Sequence, residues 1–210
     1  GGYTGFAVEI TDLVDREGEN LLTVQLDTRE DPAIPPFGFV IDYLTYGGLY
    51  REVWLEATAE SRLTDLFVYT PTLHDAVVQW TAELTPAAAA VRIRLETTDG
   101  TLLAEQTAPA AETGKMQLSV PEAQPWDTEH PVLHHAIAEL LNAAGQPIDR
   151  KQVTFGFRTA EFRADGFYLN GKKTFLRGLN RHQSYPYIGY AAPESLQRED
   201  ARILQEELHC

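Results

Sequence analysis

Between residues 58 and 158, apolar and polar residues alternate one for one in segment after segment. Val78, Trp80, Ala82 and Leu84 alternate with Gln79, Thr81 and Glu83, and Val91, Ile93 and Leu95 with Arg92, Arg94 and Glu96. Met116, Leu118 and Val120 form a third run, and Val153, Phe155 and Phe157 a fourth. Successive side chains on an extended strand point to opposite faces, so a period of two gathers the apolar residues of a run on one side. Several such strands, separated by turns such as Asp99-Gly100, hide those sides by stacking as two sheets. Over about 100 residues this predicts an immunoglobulin-like β-sandwich. Residues 87–90 are four alanines, but they are too few for a helix and lie between two strands. Residues 131–141 have no decisive period and read as strand from their neighbours. Trp80 and Trp126 are expected in the core.

The flanks have another character. In residues 1 to 57, Leu22, Val24 and Leu26 alternate with Thr23, Gln25 and Asp27, the pattern of a half-buried strand. A loop with Pro32, Pro35, Pro36 and Gly38 follows, then Gly47-Gly48 feeding a strand through Leu55. This predicts part of an all-β unit. In residues 159 to 210, Asn170-Gly171 signals a tight turn between two short strands. The second strand runs through Phe175 and Leu176 to a polar cluster, Asn180, Arg181, His182 and Gln183. Pro193, Glu194 and Ser195 suit a first helical turn, and Leu196, Ile203, Leu204 and Leu208 fall near helical spacing. Strand then amphipathic helix is one β/α unit, and polar groups collected between the two are where α/β folds bind ligands. The fold class is therefore mainly β, with one β/α unit at the end.

Composition limits function by exclusion. A net charge of -14 argues against nucleic acid and against an anionic membrane surface, both of which call for a basic face. No apolar run approaches the ~20 residues of a membrane span. Cys210 is the single cysteine, the pattern of a reducing compartment, so the expected location is the cytoplasm. His134 and His135 are adjacent and would point to opposite faces of a strand, which makes them poor joint metal ligands. His74, His130 and His209 have no partners near them in sequence. No phosphate-binding glycine loop and no zinc-type cysteine pair is present, and no cofactor is evident.

Three motifs in order carry a resemblance over nearly the whole chain. They are GGYTGFAVEIT at the start, DYLTYGGLYREVWL from Asp42, and FGFRTAEF followed by FYLNGKKTFLRGLNRH, which ends at His182. Together they resemble glycoside hydrolase family 2, the β-galactosidase and β-glucuronidase family. The resemblance implies three parts: the end of a jelly-roll sugar-binding domain (1–57), the immunoglobulin-like domain (58–158), and the start of a (β/α)₈ catalytic barrel (159–210). Such a barrel needs ~250 residues, so it is expected to be incomplete here.

The same resemblance implies a retaining enzyme that removes terminal β-linked sugars, galactose first and glucuronic acid as the alternative. Retaining hydrolysis needs two carboxylates about 5 Å apart. In the family these are glutamates from later barrel strands, expected beyond Cys210, so Glu194, Glu199, Glu206 and Glu207 read as a solvated helix face. The resemblance also implies a homo-oligomer and allows a divalent or monovalent metal ion in the full enzyme.

Four residues are candidate sugar contacts. A histidine at a strand end is more often structural than functional, but the hydrogen-bonding groups of Asn180, Arg181 and His182 together suit a sugar's hydroxyls. In the family the matching Arg and His belong to the sugar pocket. The family usually has Glu after this His, where this chain has Gln183. Asp42 precedes a Gly-Gly turn, and turn acids usually bond only local backbone. The resemblance implies that it reaches from the jelly roll into the barrel's site. Trp126 reads as core, while Tyr185 and Tyr187 either line the pocket or pack beneath it. The rival from another class is a non-catalytic carbohydrate-binding or adhesion module, which would not need the β/α unit.

Overall fold

The computed structural model describes residues 4–29, 31, 33 and 46–210. It divides into two compact units, Leu55–Leu176 and the pair of segments Gly1–Trp54 with Arg177–Cys210.

The first unit is a seven-stranded antiparallel sandwich with a small hairpin sheet attached. β1 (Arg62–Tyr69), β2 (Asp75–Glu83) and β5 (Thr113–Ser119) form one sheet in the order β1-β2-β5. β3 (Ala90–Thr97), β4 (Leu102–Pro109), β6 (His134–Leu141) and β7 (Pro147–Phe155) form the other in the order β4-β3-β6-β7. Residues 131–141 do yield a strand, and 87–90 turn into the start of β3, as their neighbours require.

Leu63, Leu66, Val78, Trp80, Met116 and Leu118 face Val91, Ile93, Leu95, Ala136, Ala138 and Leu140 across the interior. Leu63 and Leu66 are an odd number of residues apart, and a bulge between Leu63 and Asp65 brings both inward. The Trp80 indole lies against Gly114, where a Cβ would run into the ring. Its Nε1 donates to the Ala111 carbonyl at 3.1 Å, so a large buried aromatic keeps its one polar group paired.

On the outer face of the four-stranded sheet, Arg92, Glu139 and Arg150 stand in register across three strands. Glu139 is only 6% exposed. It accepts from Arg92 Nε at 2.8 Å and from Arg94 at 3.4 Å, and Arg94 also pairs with Glu96 at 3.0 Å. A carboxylate can stay this deep because two guanidinium groups replace the water it has lost.

β8 (Ala160–Arg163), β9 (Gly166–Leu169) and β10 (Lys172–Lys173) make the hairpin sheet. Asn170 and Gly171 have φ of 51° and 76°, the paired left-handed residues of a two-residue hairpin turn. The Asn170 carboxamide ties this hairpin to the sandwich. Its oxygen accepts from Thr159 N–H at 3.0 Å and its nitrogen donates to the Trp126 carbonyl at 2.9 Å. Trp126 N–H donates in turn to the carbonyl of the fully buried Phe157 at 2.8 Å. Trp126 is half-buried rather than fully buried, and Arg158 lies over its ring at 4.7 Å.

In the second unit, α1 (Glu194–Arg202) continues as a π-helical turn, Ile203–Glu207. The helix expected after Pro193 is present, and its glutamates pair with neighbouring arginines, such as Glu194 with Arg198 at 2.5 Å. The flanking strands are not present. Residues 20–26, 47–55 and 174–183 make no sheet ladder, and Leu22, Val53, Phe175 and Leu179 are exposed. Alternation alone cannot make a strand, because the backbone groups need a neighbouring strand and none pairs with these segments among the described residues.

Trp80→Ala is expected to cost about 3–5 kcal/mol, and Trp126→Ala clearly less, in urea unfolding of the 210-residue chain. Equal losses would place both indoles in the same environment. Glu139→Ala, which takes the carboxylate from Arg92 and leaves Arg94 with Glu96 alone, is expected to cost about 3 kcal/mol, and an unchanged urea midpoint would mean the cluster is solvated.

Candidate functional site

The polar cluster after the hairpin follows chain that makes no ladder, and its members have different surroundings. Asn180 is exposed in a loop. Arg181 is bound to α1: its Nε donates to Asp200 Oδ2 at 2.5 Å and its terminal nitrogens to Gln197 Oε1 at 2.7 Å and the Tyr185 hydroxyl at 3.1 Å. Gln197 and Asp200 are one helical turn apart and so share a face. Tyr185 also donates to Asp200, and these two partners, Tyr185 before Arg181, hold the Asp200 carboxyl below the usual carboxylate range. Tyr185 and Asp200 likewise raise the Arg181 guanidinium further. Arg181 is a fixed cation at the edge of the cluster.

His182 is exposed beside it. Of the two tyrosines beyond, Tyr185 packs half-buried against Asp200, whereas Tyr187 is fully exposed and its backbone is left-handed, with φ of 70°. Backbone hydrogen bonds between Tyr185 and Gly189, at 2.9 and 3.0 Å, close this loop on itself.

Asp42 lies outside the described residues, but the segment that follows it meets this loop. The Tyr46 hydroxyl bonds Ser184 Oγ at 2.9 Å. Its ring meets Tyr190 edge-on at 4.7 Å. It also presses on Gly189, where a Cβ would lie 2.9 Å from the ring. Arg51 donates to the Tyr190 carbonyl and lies over the Tyr50 ring at 5.2 Å. Tyr46 is four residues after Asp42, and Ser184 is two after His182. The stretch from Tyr46 to Arg51 and the loop from Ser184 to Tyr190, far apart in sequence, therefore meet.

Sequence reasoning missed Asp200 and Gln197, which fix Arg181, and Tyr185, left open between lining the pocket and packing beneath it, packs against Asp200. The signal available was the pair Gln197 and Asp200, three apart on a helix whose other acids pair with its own arginines. Among the described residues no three of His, Cys, Asp and Glu converge as a metal site.

The sequence model for glycosyl hydrolases family 2 matches residues 61–158. A β-galactosidase of Thermoanaerobacter pseudethanolicus is 37% identical over 99% of this chain and 29% of its own length. One from Thermoanaerobacterium thermosulfurigenes is 38% identical over 100% of this chain and 31% of its own length. The chain thus spans less than a third of these relatives. Among solved structures, the apo β-glucuronidase 3 of Bacteroides uniformis superposes with a TM-score of 0.68 at 26% identity, covering 80% of this chain and 22% of that one.

Asp200→Asn, which removes the charge that holds Arg181, is expected to leave the sandwich's unfolding unchanged and to speed amide hydrogen exchange at Tyr185 and Gly189. Unchanged exchange there would mean that the loop stands without the ion pair.

Proposed function

Because the chain belongs to glycosyl hydrolase family 2, we propose that the whole protein hydrolyses terminal β-linked galactosides by the retaining route. The observation that carries this reading is the 37% identity to a β-galactosidase along 99% of the chain. A β-galactoside is the proposed substrate and a homo-oligomer the proposed assembly. Within this chain, Asp42, Asn180, Arg181 and His182 are the proposed sugar contacts. The pairing of Tyr46 with Ser184 supports them, because these residues follow Asp42 and His182 closely in sequence.

Their chemistry suits binding and charge management rather than bond breaking. A carboxylate and an amide take up hydroxyl hydrogens, while the imidazole and the anchored guanidinium donate to ring hydroxyls. Such bonds strengthen as the sugar gains oxocarbenium character. The acid/base and the nucleophile are assigned to no residue of this chain. A β-glucuronide is the second reading, supported by the likeness to the Bacteroides uniformis β-glucuronidase.

Chromogenic β-galactoside and β-glucuronide offered to the whole protein separate these readings. Faster kcat/KM on the galactoside is expected, the reverse order selects the glucuronide, and no turnover of either leaves a binding module. Asp42→Ala and His182→Ala are each expected to lower kcat/KM by about 100-fold without lowering the melting temperature. Wild-type kinetics in both would remove these residues from the site. The 210-residue chain alone is expected to turn over neither substrate.

A further inference from the structure

His134 opens β6 and is only 3% exposed. Its ring stands edge-on to Phe157 at 5.0 Å and tilted against Phe155 at 5.9 Å, and these two phenyl rings are 5.1 Å apart. Its Nδ1 is buried and has no hydrogen-bond partner among the described residues. Beside the ring lies a depression of about 310 Å³ whose lining includes Thr97, Asp99, Leu103, Glu122 and Gln124.

The groups facing the imidazole offer a second proton little welcome. Across the ladder are Thr97 on β3 and Phe155 on β7. Asp99, in the β3–β4 turn, is already engaged by Thr97 and by Thr101, whose hydroxyl donates at 2.9 Å. Glu122, on the β5–β6 connection, lines the depression and makes no ion pair with the ring among the described residues. His135 points to the other face, where its Nδ1 meets Gln152 Nε2 at 2.7 Å. Burial first, and the neighbouring His135 second, push the His134 imidazole below its ordinary range.

We propose that His134 is an acid-sensitive latch on the junction between sandwich and hairpin. A protonated ring buried against this phenyl pair, with Nδ1 unpaired and no carboxylate bonded to it among the described residues, is not sustained, so it leaves. Phe157 then loses its cover, and with it go the Phe157–Trp126 and Trp126–Asn170 hydrogen bonds that hold the hairpin. The chain is tightest near neutrality and loosens as pH falls.

The sign follows from linkage. Unfolding frees His134 to take up a proton near pH 6.5, so its stabilisation is complete above that pH and declines below it, by up to about tenfold in the unfolding constant per pH unit. Asp75, Asp99, Asp127 and Asp165 act elsewhere on the scale. Hydrogen bonds, led by Ser119, Thr97, the His130 backbone and Tyr168 respectively, hold them below the usual carboxylate range. Their loss therefore comes below about pH 4.

The test is urea unfolding of the 210-residue chain between pH 7.5 and 5.0, with His134→Phe and, as control, His135→Gln. Wild type and the control should lose stability with a slope approaching one proton, and His134→Phe should stay nearly flat. Parallel slopes in wild type and His134→Phe would overturn the latch. A second measurement needs no variant. The His134 imidazole, followed by NMR in the native wild type, should titrate below pH 6.5, and a midpoint at or above that value overturns the proposal. Hydrogen exchange at pH 5.5, corrected for intrinsic rates, should rise at the amides of Trp126 and Asn170. A rise that spares both would place any acid sensitivity away from the junction.

Discussion

An extended backbone points its N–H and C=O groups sideways, and each must find a partner when water is excluded. That requirement divides this protein. From Arg62 to Phe155 each strand has a neighbour on at least one side, and there the period-two pattern becomes two sheets with a shared interior. Around Leu22, Val53 and Phe175 the same kind of pattern finds no ladder among the described residues, and these apolar residues are exposed. Packing follows pairing. Side chains as large as Trp80 are buried only where two paired sheets can close over them.

The sandwich was legible because pattern and pairing agree. Val91, Ile93 and Leu95 are fully buried while Arg92 and Arg94 stand on the other face, as their alternation predicts. Periodicity could not show that Arg92 and Arg94 converge on Glu139, because the register that joins β3 to β6 is set by the whole sheet. Nor could it show the bulge that turns Leu66 inward, or the Asn170 carboxamide joining two segments. The hairpin turn is the opposite case. Asn170-Gly171 announces its own backbone geometry, and the structure has it.

The candidate site was legible as a motif more than as geometry. Arg181 stands out in sequence as a cation in a polar cluster, but what it touches depends on a helix face 16 and 19 residues on, at Gln197 and Asp200. The meeting of Tyr46 with Ser184 depends on chain folding that no local pattern encodes. Family resemblance carried the sugar reading because it summarises such long-range outcomes. Physical reasoning from the residues alone ended at a hydrogen-bonding cluster.

The ion cluster on the four-stranded sheet also bears on how this sequence can drift. Glu139 and Glu96 balance Arg92 and Arg94, two acids against two bases, with Glu139 buried and the other three partly so. Losing any single member leaves an imbalance in a poorly hydrated place, whereas apolar residues at all four positions together are physically acceptable. Routes between these two solutions pass through destabilised intermediates. Arg92, Arg94, Glu96 and Glu139 should therefore be inherited as a block, either kept together or replaced together across descendants of this domain.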